Sequence, residues 1–161
     1  MPSKLLKISY TGIFIALILA VGYSLAYVPN IELVTLMVFL SGYLMGIKYG
    51  LLIGILGEFL FSALNPMGSG LLFPPMLFAQ IIAMGLAGTA GGIMRSLIYG
   101  KKFKKSYVIY FGVAGFLTTL FYDIIVSLAY PISAGFDFKQ PLGVMLSGVV
   151  FSSMHLMMNV L

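Results

Sequence analysis

Six long apolar segments dominate the sequence, and glycine, proline or charged residues separate them. We place the segments at 8–28, 32–47, 50–64, 72–94, 107–130 and 142–160. A helix that crosses the hydrocarbon core of a bilayer needs about 20 apolar residues, with about 17 as the lower end. Only 8% of the residues are charged, against roughly 25% in soluble domains. The sequence therefore predicts an all-α polytopic membrane protein, with residues 1–161 forming one bundle of six transmembrane helices.

The first segment has two interpretations. Lys4 and Lys7 precede the apolar run, and residues 24–26 resemble a cleavage site, so the segment could be a signal peptide. The run is longer than the apolar core of a typical signal peptide, however, and further spans follow it. A retained first helix is therefore the better interpretation.

The distribution of basic residues predicts the orientation of the bundle. With the N-terminus inside, the inner segments hold eight of the nine Lys and Arg residues, at positions 4, 7, 48, 95, 101, 102, 104 and 105, and the outer segments hold only Lys139. Cytoplasmic loops of membrane proteins carry an excess of Lys and Arg, so we expect both termini inside (N-in/C-in). The second and third segments are short and could form a hairpin that crosses incompletely, but Lys48 between them indicates a water-facing turn.

The four acidic residues all fall in the outer half of this topology. Glu32 begins the second segment, and Asp137 lies in the last outer loop. At about 1.5 Å per residue, Glu58 lies past the middle of the third segment, and Asp123 lies in the outer third of the fifth. Ionisable side chains at membrane depth nearly always face the interior of a bundle or a water-filled cavity. We therefore expect these carboxylates to face inward.

Two stripes of small and polar residues carry Glu58 and Asp123, and their spacing places each stripe on one helix face. The stripes are Gly50, Gly54, Glu58, Ser62 and Asn65, and Gly115, Thr119, Asp123, Ser127 and Tyr130. We expect both to line a cavity that opens to the outside. The residues predicted to bind a ligand there are Glu32, Glu58, Asn65, Gln80, Tyr122 and Asp123. The alternative is a Glu58 carboxyl group that joins two helices through Gln80 or Tyr122.

Other reactive side chains are few. The sequence has no cysteine and one histidine, so it predicts no catalytic residue, no metal site and no cofactor. His155 shares a stripe with Gly148, Ser152 and Asn159, and we interpret it as a packing residue. A proton relay with Asp123 is the competing role, although the two residues are predicted to lie at different depths. The basic residues flank apolar runs and form no patch, which argues against nucleic acid as a partner.

The first and fourth segments carry small residues at intervals of four. They are Gly12, Ala16 and Ala20 on the first, and Ala83, Ala87 and Gly91, beside Gly85, Gly88 and Gly92, on the fourth. Small residues at this spacing let helix backbones approach closely in lipid. On the fourth segment we expect them to pack inside the bundle. The stripe on the first segment could be internal or could dock a partner helix.

With six helices at this length, the chain resembles the substrate-binding (S) components of energy-coupling-factor (ECF) type vitamin transporters. The resemblance covers nearly the whole chain. It rests on the Ala16-x-x-x-Ala20 pair, the segment ELVTLMVFLSGYLMGIKYGLLIGILGEF, and the turn NPMGSG that leads into LLFPPMLFAQ. It implies that Ala16 and Ala20, with Gly12 on the same stripe, pack against the transmembrane coupling subunit. It also implies two ATPase subunits, a multi-pass location in a prokaryotic cell membrane, and a vitamin bound near the outer face.

The predicted function is therefore a substrate-binding transporter subunit and not an enzyme. The chain has no phosphate-cradling glycine loop with a lysine, so we do not expect it to hydrolyse ATP. Three carboxylates favour a ligand with positive charge or several hydrogen-bond donors. The glycines of the 65–70 turn predict a deformable lid, between the loops near 29–31 and 135–140. The alternatives are an intramembrane enzyme, for which one histidine is a thin basis, and a small scaffold or channel subunit without a ligand.

Overall fold

The computed structural model describes residues 4–28, 33–102, 104–135 and 141–160, which form an all-helical bundle. The helices are α1 (Lys4–Leu25), α2 (Val34–Met45), α3 (Ile47–Ala63), α4 (Pro74–Ile98), α5 (Ser106–Ser133) and α6 (Pro141–Val160), with a 3₁₀ turn at Gly70–Leu72. The prediction of an all-α fold with six helices is therefore confirmed. Helices α1, α4 and α5 are each long and apolar enough to cross a membrane, and α2 is a shorter apolar helix. The number of crossings and the N-in/C-in orientation stay predictions.

Successive helices alternate in direction, as the contacts between their ends show. The contacts pair Lys7 with Tyr49, Tyr23 with Phe61, Arg95 with Leu44, Met76 with Ser133 and Gly112 with Val160. The bundle therefore has two different ends. The basic end carries the start of α1, the turn between α2 and α3, and the lysines between α4 and α5. The loop end carries the connection between α3 and α4, residues 64–73.

The turns at the first three helices differ from their predicted positions. Helix α1 ends at Leu25, three residues before the predicted end at Val28. The turn between α2 and α3 falls at Gly46, whose φ of 93° is a conformation that suits glycine. Lys48 therefore lies in the first turn of α3 and not in the connecting turn, although it remains exposed at the basic end.

Prolines lie at the start of α4 and near the end of α5, and neither position interrupts its helix. Pro74 and Pro75 occupy the first turn of α4, where their missing N–H groups have no partner to lose. The prediction that α5 ends before Pro131 is wrong, because the helix continues to Ser133. A proline this close to the end of a helix removes only one backbone hydrogen bond near the terminus.

Helices α2, α3 and α4 pack at backbone distance through glycine. A Cβ atom at Gly88 would collide with the carbonyl oxygen of Gly50, and one at Gly91 would collide with that of Phe39. The alanines of the α4 stripe are also buried, with Ala83 and Ala87 each 2% exposed. The prediction that this stripe packs inside the bundle is therefore confirmed.

Candidate ligand-binding site

A chain of polar contacts crosses from α3 through α4 to α5. The hydroxyl oxygen of Ser62 lies 2.7 Å from Glu58 Oε1 and 3.2 Å from Gln80 Oε1. The Ser62 hydroxyl has one proton and so can donate to only one of them at a time. The Nε2 atom of Gln80 donates to the Tyr122 hydroxyl at 3.3 Å. These contacts join three helices. Glu58 and Ser62 lie near the C-terminal end of α3, Gln80 lies about two turns into α4, and Tyr122 lies inside α5.

The cluster extends to α6 through Asp123 and His155. The Nδ1 atom of His155 lies 2.8 Å from Asp123 Oδ1, and the His155 ring meets the Tyr122 ring edge to face at 5.9 Å between centroids. Two acceptors cannot form this bond, so a proton must lie between the nitrogen and the carboxylate. The prediction that Asp123 and His155 lie too far apart in depth is wrong.

The tilt of the two side chains explains why depths estimated from residue positions along the helices were wrong for Asp123 and His155. Side chains on a helix tilt toward its N-terminus. Helices α5 and α6 run in opposite directions, so the Asp123 side chain tilts toward the basic end and the His155 side chain tilts toward the loop end. Each side chain reaches toward the other and closes the gap that the backbone positions suggest.

Two polar atoms of α5 are buried without a hydrogen bond to any described residue. They are the Asp123 Oδ2 and Thr119 Oγ1 atoms, which lie one helical turn apart. Thr119 is 0% exposed. A buried polar group without a partner costs about 1–3 kcal/mol, and more if it is charged. The pair therefore leaves acceptor capacity unused inside the bundle, next to the Tyr122 and His155 contacts and not in the lining of the cavity at the loop end.

A cavity of about 260 Å³ lies at the loop end, between the end of α3 and the start of α4. Ser62, Asn65 and Gln80 supply polar groups to its lining, and Met76 and Leu77 supply apolar ones. Because Gln80 lines the cavity and also contacts Tyr122, it connects the cavity to the cluster around Asp123. A second hollow of about 270 Å³ lies between α2 and α5 and has mostly apolar walls.

The segment that covers the first cavity is folded by its own hydrogen bonds. The Asn65 side chain accepts from the Met67 backbone N–H at 2.8 Å, and Ser69 donates to the Ala63 carbonyl at 2.8 Å. Gly68 has a φ of 140°, which only glycine adopts readily. The glycines therefore serve a defined turn in this structure, and the predicted lid movement of the segment stays a prediction.

The predicted site residues fall into three groups. Gln80, Tyr122 and Asp123 belong to the polar cluster, and Asn65 joins Gln80 in the lining of the loop-end cavity. Glu58 is 1% exposed and is not among the residues that line this cavity. Its contact with Ser62 lies within α3 and joins no second helix, so the expected cavity role of Glu58 and the interhelical alternative through Gln80 or Tyr122 both stay predictions. Glu32 lies outside the described residues.

Three residues of the cluster were not predicted to belong to the site. Ser62 and Thr119 stand on the two predicted stripes, so their place on the helix face was a usable signal. The sequence favoured the carboxylates over these two residues only because a hydroxyl group carries no charge. His155 was interpreted as a packing residue, and its contact with Asp123 could be found only from the packing of α5 against α6.

The small-residue face of α1 is turned away from the bundle. Gly12, Ala16 and Ala20 are exposed, and a Cβ atom added at Gly12 would meet nothing within 4 Å. The residues that α1 buries, Ile18 and Gly22, lie on the opposite side of the helix. Internal packing of the stripe is therefore excluded in the described bundle. A helix face that carries only small side chains at these positions remains available to a partner.

A comparison with protein families places these features in context. The profile of the family described as the ECF transporter, substrate-specific component, matches residues 6–161. The chain belongs to this family, and it is accordingly a membrane protein. No curated protein and no solved structure matches the chain significantly. The resemblance inferred from the Ala16–Ala20 pair and the α2–α3 segment is thus confirmed at the level of the family.

Proposed function

We propose that the chain is the substrate-binding membrane subunit of an ECF-type importer that takes up a vitamin or related micronutrient. Family membership supports the role of a substrate-specific component. We place the protein in a prokaryotic plasma membrane, with six spans, the basic end inside and the loop end outside. Eight basic residues lie on the inner side of this arrangement, which agrees with the usual bias of cytoplasmic loops.

The observation that carries the ligand site is the pair of buried polar atoms, Asp123 Oδ2 and Thr119 Oγ1. A carboxylate oxygen accepts hydrogen bonds only, so it calls for a donor from the ligand. The contact with His155 holds the other oxygen of Asp123 in a fixed direction. We propose that a cationic or donor-rich group of the ligand binds Asp123.

The remaining predicted residues would act around this contact. Gln80 and Asn65 would hydrogen-bond the part of the ligand that lies in the loop-end cavity, and Tyr122 would orient Gln80. Glu58 would act indirectly, by holding the Ser62 hydroxyl. Glu32 stays a candidate at the mouth of the site. An anionic vitamin fits this set poorly, because no described cation contacts the cluster other than a protonated His155.

Energy and release would come from partners. We propose that the exposed face of Gly12, Ala16 and Ala20 packs against the transmembrane coupling subunit, since small residues permit close approach of helices in lipid. Two ATPase subunits would complete the importer, and reorientation of this chain in the membrane would release the ligand inside.

The purified chain tests the ligand site directly. We expect one cationic or donor-rich micronutrient from a panel that includes thiamine and biotin to raise the unfolding temperature by roughly 5–10 °C at 100 times its dissociation constant. Asp123→Asn keeps the shape of the side chain but removes its charge. It should weaken binding of that ligand by about 10–100-fold, the loss expected for a hydrogen bond to a charged group.

Glu58→Gln is the matched control, because it is also a carboxylate-to-amide change but leaves an acceptor for Ser62. It should change the affinity by less than about threefold, well within the range of an exchanged neutral hydrogen bond. Tight binding of biotin or another anionic vitamin, or unaltered affinity in Asp123→Asn, would contradict the proposed site.

A further inference from the structure

The basic end of the bundle contains a hollow with cationic walls that the proposed ligand site does not use. It lies where α1, the turn between α2 and α3, and the last turns of α4 meet, and its volume is about 550 Å³. Lys7, Lys48 and Arg95 line it, together with the rings of Tyr49 and Tyr99. No carboxylate is among the described residues of its lining.

Arg95 is held in position and still has hydrogen-bond donors to offer. Its Nη1 atom donates to the carbonyl oxygens of Tyr43 and Leu44 at the end of α2. Its guanidinium carbon lies 3.9 Å from the centroid of the Tyr99 ring. A guanidinium has five N–H donors in a planar fork that matches the oxygens of a phosphate. The Nε and Nη2 atoms of Arg95 donate to no acceptor in the described part of the chain.

Lys7 and Lys48 approach the same hollow from two different helices. The Nζ atom of Lys7 lies 5.3 Å from the centroid of the Tyr49 ring, and this cation–π contact holds the α1 lysine against α3. Lys48 is exposed in the first turn of α3. Neither lysine forms an ion pair with a carboxylate that the structure describes. Three positive charges therefore converge without a negative partner from the described chain.

The surroundings of the hollow favour a lipid as the source of the negative charge. Tyr49 and Tyr99 are aromatic residues of the kind that lie at membrane–water interfaces. The apolar side chains of Leu44, Ile47 and Leu97, on or next to the lining in sequence, are exposed on the outside of the bundle. Acyl chains could lie against these side chains while the headgroup enters the hollow.

We infer that this hollow binds the phosphate of an anionic lipid headgroup through Arg95, Lys7 and Lys48. Arg95 supplies the directional hydrogen bonds, and the two lysines supply charge on either side of the phosphate. The binding would anchor the basic end of the bundle at the membrane surface, where the turn between α2 and α3 meets the end of α4. It does not depend on which micronutrient the loop end binds.

The test follows thermal unfolding of the full chain in a zwitterionic detergent as short-chain lipid is added. We expect phosphatidylglycerol to bind at least about tenfold more tightly than phosphatidylcholine, because basic residues at a membrane surface favour anionic headgroups. The double variant Lys7→Gln/Lys48→Gln should reduce this preference by about tenfold. The variant Lys7→Arg/Lys48→Arg, which keeps both charges, should retain it.

The control variant is Lys101→Gln/Lys102→Gln, which removes the same charge from the basic end but outside the hollow. It should keep the preference for phosphatidylglycerol within about threefold of the wild type. Equal losses in the two glutamine variants would show that total charge and not the hollow selects the lipid, and would overturn the proposal. A stabilisation by inorganic phosphate equal to that by phosphatidylglycerol would also overturn it, because the hollow would then be a site for soluble phosphate.

Discussion

Uptake by the assembled importer should fall at least about tenfold when Ala16 and Ala20 are both replaced by leucine, while ligand binding by the isolated chain is unchanged. Overpacking a helix interface costs about 1–3 kcal/mol per site, and about 1.4 kcal/mol is a factor of ten in binding. Both alanines lie on the exposed face of α1, away from the buried Ile18. The two measurements are uptake of the labelled ligand by cells and copurification of the coupling subunit with this chain.

Two matched variants separate side-chain size from position. Ala16→Ser/Ala20→Ser keeps small side chains on the same face and should retain most of the uptake. Val149→Leu/Ser153→Leu places bulk on an exposed face of α6 and should also leave uptake intact. Normal uptake and normal copurification in the leucine pair on α1 would remove the docking role from this face.

The Gly88→Ala variant should lose roughly 2–12 °C in unfolding temperature. The added Cβ atom would collide with the backbone of Gly50, and backbone atoms cannot move aside as the end of a flexible side chain can. Strain of this kind costs about 1–3 kcal/mol or more, and each 1 kcal/mol shifts the unfolding temperature by about 2–4 °C at this chain length. The measurement is the amount of monodisperse protein that remains after heating in detergent.

Gly112→Ala is the control for Gly88→Ala, because both positions lie inside a helix. A Cβ atom at Gly112 would meet Val160 at 3.9 Å, an ordinary contact. Alanine is the better helix former by about 0.5–1 kcal/mol, so this variant should match or slightly exceed the wild type. If Gly88→Ala unfolds at the same temperature as Gly112→Ala, the close packing of α4 on α3 is not as described.

The helices and the packing of α4 could be predicted from the sequence, because both depend on local patterns. Apolar runs of sufficient length predict helices, and small residues at intervals of four on α4 predict a face that packs closely. The exact turns were less accessible. Whether the chain turns at Gly46 or at Lys48 depends on how closely α2 and α3 pack against α4, and no local pattern determines that.

Part of the site could also be predicted, because the alternating directions of the helices determine which side chains lie at the same depth. The alternation of helices brings Gln80, Tyr122 and Asp123 toward one cluster, and a sequence reader can follow that alternation. The contact of Asp123 with His155 depends on the tilt of side chains in two antiparallel helices, which counting residues along each helix ignores. The burial of Glu58 depends on how α3 packs in the bundle, which no pattern along α3 alone determines, and its contact with Ser62 lies one turn along the same helix.

The most direct test of the central claim is mass spectrometry of the small molecules that copurify with the chain from cells grown in rich medium. The account predicts that the wild-type protein carries one micronutrient at close to one molecule per chain, and that Asp123→Asn purified in parallel carries little or none. A wild-type protein that carries no small molecule and is stabilised by no vitamin of the panel would contradict the account and favour a scaffold or channel subunit without a ligand.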